Sequence, residues 1–253
     1  MKRLDRSIII QLVVICVFAL IWQLLAGTTN PVILPSFVSV LGALFSVLQL
    51  AAIPELPHAL GITLLEIAAG FAFSASLAFL FAAALTLNRT LRSAYYPLFL
   101  FLFAIPHIVL FPLFIVSFGL GPLSKIAYGA FAGFPVMVLG MLASFTRVES
   151  SAIALARSMG AGSRKVFTKV VLPSAASGIV STLRVGLGTV AVVTVVAEVI
   201  GSTDGLGYYL RTEFESFLTA DYFALVIVIG VVVLLVNYSF TMFERRLRGR
   251  IRE

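Results

Sequence analysis

Four ionisable side chains fall inside long apolar runs: Glu66, His107, Arg184 and Glu198. Such groups are costly to bury in a bilayer and usually face a cavity or a partner, so they are the first candidates for a solute pathway. Counting along the runs puts Glu66 and His107 in the outer half, Arg184 nearer the middle and Glu198 close to the outer mouth. Arg184 would be the natural attractive charge for an anion. An internal Arg–Glu pair that only holds helices together carries equal weight. Glu198 can equally cap an outer loop, and His107, next to Pro106, can bond a carbonyl freed by Pro112. Thr63 and Thr194 read as ordinary helix-packing hydroxyls.

Other chemistry is missing from the sequence. There is no G-x-x-x-x-G-K-[ST] phosphate loop, no H-E-x-x-H and no G-x-S-x-G, and His58 and His107 lack a metal-ligand spacing. Gly186-x-Gly188-x-x-Ala191 matches a dinucleotide pattern in form only, because it sits in an apolar run with no strand before it. Close helix packing explains it better. Cys16 is the single cysteine, which rules out an internal disulfide or a cysteine-rich metal site.

The elements that must position these residues are membrane helices. At 253 residues, 60% hydrophobic and 11% charged, with a mean hydropathy of +1.10, the chain is not an ordinary soluble domain. Six spans are predicted, at about 7–26, 59–87, 93–118, 123–146, 174–200 and 222–243, making one all-α polytopic membrane domain. The first reads as a retained helix rather than a cleaved signal, with Trp22 as an interfacial anchor. Residues 27–57 carry no Lys or Arg but four prolines, and the short apolar stretch 38–50 reads as an interfacial helix on the outer side. Pro97, Pro106 and Pro112 make the third span a candidate wall of the pathway, since freed carbonyls need a neighbour or a wet cavity. In the fourth span Gly129-x-x-x-Gly133 offers a close packing face.

Net charge is +7. The cations lie between and beyond the spans, which is the positive-inside pattern and not a nucleic-acid surface. Only Lys125 and Arg211 fall on the outer side, with Arg184 buried, so both termini and residues 149–173 are placed in the cytoplasm. Residues 149–173 form the longest polar interruption. A first helix at about 150–159 carries Ile153, Ala156 and Met159 at helical spacing. A second begins at Ser163 and brings Val166, Phe167, Val170 and Val171 to one face, and Pro173 is expected to stop it. Gly160-Ala161-Gly162 reverses the chain between them.

Ala154-Leu155-Ala156-Arg157-Ser158-Met159-Gly160-Ala161, followed by Phe167 and Leu172-Pro173, resembles the cytoplasmic EAA loop of ABC importer permeases. Ala154 stands where that family has Glu. Ile105-Pro106, Pro112, Phe118-Gly119-x-Gly121, Lys125, Ala197-Glu198 and Gly205-Leu206-Gly207-Tyr208 extend the resemblance to the nitrate/sulfonate/taurine class. The resemblance implies a type I importer permease fold in a bacterial inner membrane. It implies a homodimer working with a P-loop ATPase, which holds ATP and Mg, and with an extracytoplasmic solute-binding protein. It makes Ala154, Ala156, Arg157, Gly160, Ala161, Phe167, Leu172 and Pro173 the ATPase-coupling residues. The solute implied is a small organic or inorganic anion, or a pyrimidine or vitamin precursor. No cofactor is expected on this chain, which would be a transport subunit and not an enzyme. The alternatives are a stand-alone carrier or channel driven by an ion gradient through Glu66 or Glu198, and, more remotely, a membrane-embedded enzyme.

Overall fold

In the computed structural model the backbone is described for residues 2–251 and the side chains for residues 8–242. The basic ends assigned to the cytoplasm, Lys2, Arg3, Arg6 and the arginines from 245 onward, lie outside the described side chains. The chain is helical throughout: α1 (Lys2–Thr28), α2 (Phe37–Leu48), α3 (Leu56–Leu87), α4 (Arg89–Ala104), α5 (Phe111–Phe118), α6 (Pro122–Thr146), α7 (Ser150–Ser158), α8 (Ser163–Val166), α9 (Leu172–Gly201), α10 (Leu206–Glu215) and α11 (Thr219–Ile251). Among the described residues five helices are long and apolar enough to cross a membrane, and the bent pair α4–α5 would make a sixth.

The centre is α6, which packs extensively on α3 and α9. Small residues allow that approach. A Cβ at Gly133 would sit 2.7 Å from Val190 Cγ2, and one at Gly129 would sit 2.9 Å from Thr194 Oγ1. Gly186 abuts Met137 in the same way, so its glycine pattern serves packing. Ala78, Ala82, Met137, Val138, Met141 and Val190 fill the core between these helices.

Around this core the outer elements are tied on by a few polar contacts. Ser36 caps α2 by accepting from the Ser39 N–H, and α2 buries Val40 and Val47 while Val38 and Phe45 stay exposed. Trp22 donates to the Pro35 carbonyl at 2.9 Å and meets Phe37 and Phe223 edge-on, joining α1 to α2 and α11. Residues 201–221, which connect the last two predicted spans, contain the ten-residue α10, which lies against α9 and α11.

Two expectations are corrected here. The stretch 93–118 is not one continuous helix: α4 ends at Ala104, the His107–Leu110 segment is a 3₁₀ turn, and the pair is bent by 88°. Pro106 has no N–H for the Leu102 carbonyl four residues earlier, and the His107 imidazole lies by that carbonyl, not by one freed by Pro112. Pro173 likewise does not stop the second knob helix. A π-helical stretch, Phe167–Val171, lets α8 run directly into α9, so that 163–201 is one unbroken apolar helix with Pro173 in the first turn of α9.

Candidate functional site

The knob of residues 149–173 begins with α7, whose end is closed by two backbone bonds. The Gly160 N–H donates to the Arg157 carbonyl at 2.9 Å and the Ala161 N–H to the Ala156 carbonyl at 3.0 Å, with Gly160 at φ +80°. This is a Schellman closure, and its left-handed residue is one that glycine adopts without strain. Ala156 and Ala161 pack beneath it against the main core. Phe167 is buried, 5.2 Å from the Phe145 ring at 71°, and Val166 and Val171 lie in the same cluster. The knob is thereby fused to α6 and α9.

Its outward face differs from the sequence expectation. Ile153 and Ala156 turn inward, but Met159 is 80% exposed, because the closing turn rotates the helix-capping residue away from the stripe. Leu155, at 64%, is exposed beside it. Ala154, Arg157 and Gly160 are exposed as well, Leu172 is half-buried and Pro173 exposed. Two large apolar side chains, Leu155 and Met159, thus stand in the open around the Arg157 guanidinium.

At the opposite end of α9 lies a buried polar cluster. Glu198 is fully buried; its Oε1 accepts from the Thr63 hydroxyl at 2.7 Å and its Oε2 from the Gly207 N–H at 2.7 Å. Thr63 in turn accepts from the Leu206 N–H at 2.9 Å. The first turn of α10 is thus clasped to α3 and α9 by two side chains. Gly207 is required by the fit, since a Cβ there would sit 2.6 Å from the Val195 carbonyl oxygen. Gly205, at φ +98°, sets the turn that enters α10.

Glu66 is buried in contact with Glu198, with its Oε2 lacking a hydrogen-bond partner among the described residues. Lys125, assigned to the outer side by charge counting, is fully buried within the bundle, and its charge acts on both acids. Its ammonium donates to the Leu120 and Gly121 carbonyls, closing the turn before α6. The cation among these acids is therefore a lysine and not Arg184. Arg184 lies within the α9 span with its side chain exposed on this chain, 14 residues from Glu198, or roughly 21 Å at helical rise. His107 stays apart at the α4–α5 bend, beside Phe131. Of the four intramembrane candidates, the fold brings together only Glu66 and Glu198.

Thr63 and Lys125 are the members sequence reasoning missed. Nearer the surface, Asp204 pairs with His58 at 3.0 Å, and Arg211 donates to the Ser202 carbonyl. Burial, then the charge of Asp221, push the Glu213 carboxyl on α10 above its ordinary range.

The chain is 32% identical over 164 residues to the taurine transport system permease protein TauC of Escherichia coli (strain K12), a match covering 65% of this chain and 60% of that one. It is 28% identical over 229 residues to the putative aliphatic sulfonates transport permease protein SsuC of Bacillus subtilis (strain 168), covering 90% of this chain and 82% of the relative. An inward-facing structure of the MetNI methionine ABC transporter shares the fold, with a TM-score of 0.68 at 18% identity over 77% of this chain and 96% of that one. Residues 77–253, which hold α6, the knob and, of the buried polar cluster, Lys125, Glu198 and Gly207, match the family described as binding-protein-dependent transport system inner membrane component. The chain belongs to that family, as an ABC importer permease similar to those for taurine and sulfonates.

Proposed function

We propose that the chain works as a homodimer that moves a small anionic organic solute, of the sulfonate or taurine kind, into the cytoplasm. The knob seats in a P-loop ATPase, which binds ATP and Mg, while a solute-binding protein delivers the solute on the far side. The orientation follows from the basic residues, with the knob and both termini cytoplasmic. ATPase closure draws the two knobs together and turns each core so that the cavity opens outward; hydrolysis lets it relax inward.

The observation that carries this reading is the knob: Leu155, Arg157 and Met159 exposed on a helix end that Gly160 fixes and Phe167 roots in the core. The solute class rests on the relatives' names alone, and Glu66, His107, Arg184 and Glu198 remain the residues to probe for the pathway. The test is affinity purification from native membranes in mild detergent, with mass spectrometry of what co-elutes. Wild type is expected to bring down a P-loop ATPase. Gly160→Pro, which can adopt neither the φ of +80° nor the bond to Arg157, is expected to insert normally, lose the ATPase and abolish uptake. Normal uptake by a well-expressed Gly160→Pro protein would refute the coupling role.

A further inference from the structure

We propose that a cavity between α4 and α6, on the knob side of the bundle, holds the phosphate head group of an anionic phospholipid. The cavity measures about 430 Å³. Its polar end is formed by Arg89, Arg92, Ser93 and Tyr96, and its flank by Pro97, Leu139 and Leu142.

The polar end carries two positive charges. Arg89 and Arg92 lie in the first turn of α4, where Asn88 caps the Thr90 and Leu91 N–H groups at 3.0 and 3.1 Å. A helix N-terminus is already positive, and an acid in the first turn normally offsets it. That turn holds none. The ion pairs among the described residues include neither arginine. Two guanidiniums at a helix N-terminus thus line one cavity with no ion-pair partner among the described residues, an arrangement that an anion stabilises.

The flank decides which anion. The cavity lies where α3 has ended at Leu87 and α6 ends at Thr146, the level at which apolar span gives way to water. A soluble anion would gain little from an apolar wall. An amphiphile uses both parts, its phosphodiester on Arg89 and Arg92 and the start of its acyl chains along Pro97, Leu139 and Leu142. Leu98 and Phe101, further along α4, stand exposed as lipid-facing side chains do. Binding here needs neither the ATPase nor a solute.

The test uses the purified full-length chain in neutral detergent, with native mass spectrometry after adding phosphatidylglycerol and phosphatidylcholine in equal amounts. Phosphatidylglycerol is expected to be retained selectively. The double variant Arg89→Gln/Arg92→Gln should lower that retention about tenfold or more, as the loss of two charge-assisted contacts implies. Arg89→Lys/Arg92→Lys should fold and keep most of it. Arg147→Gln, at an exposed arginine that does not line this cavity, should keep all of it. Equal retention of the two lipids, an equal loss in Arg147→Gln, or displacement by inorganic phosphate would each overturn the proposal.

Discussion

The Thr63 hydroxyl donates to Glu198 and accepts from the Leu206 N–H, so valine of the same shape would leave two buried groups without partners. Each such group costs about 1–3 kcal/mol. Thr63→Val is expected to lower the thermal midpoint in detergent by several degrees, whereas Thr63→Ser stays near wild type; an unchanged midpoint in the valine variant would remove the clasp. Sequence could mark Glu66 and Glu198, because a carboxyl in an apolar run is conspicuous by itself. It could not mark Thr63. Membrane threonines commonly bond a carbonyl one turn back, as Thr86 does with Ala82 and Thr182 with Gly178, and nothing local distinguishes one whose partner lies 135 residues away. The burial of Lys125 was illegible for a related reason: charge counting assigns a residue to a side by its distance from a loop, and says nothing of whether it folds back to cap that loop from inside the bundle.

The knob was the most legible element. Its Gly160 turn, its apolar second helix and its Leu-Pro ending each have a local cause, and the turn and buried face formed as the residues dictate. Met159 shows the limit, since helical periodicity stops applying at the cap, where the chain leaves the helical path. The prolines show another. A proline removes one donor, but whether the chain bends, as at Pro106, or absorbs the loss in a π-helical stretch, as before Pro173, depends on what packs around it. The exposed tip gives a prediction at this scale. Leu155→Asp/Met159→Asp touches no buried contact, so the thermal midpoint should hold while recovery of the ATPase falls at least tenfold. Full recovery would move the docking face elsewhere on the knob.

For the whole molecule, the importer and ion-driven readings differ in energy source. Uptake into membrane vesicles is expected to require ATP and the binding protein and to survive an ionophore; collapse with the ion gradient would favour a carrier working through Glu66 or Glu198. The unbroken helix from 163 to 201 adds a mechanical constraint. At helical rise it is a shaft roughly 58 Å long, with the knob at one end and Glu198 near the other. Over that length each degree of tilt about one end would displace the other by about 1 Å, so knob and clasp would move as one body without any relay of side chains. A shaft also has a phase. One alanine inserted midway would turn its two ends about 100° out of step, leaving both attachment points chemically intact and mechanically disconnected. ATP hydrolysis by such an assembly should continue while transport stops.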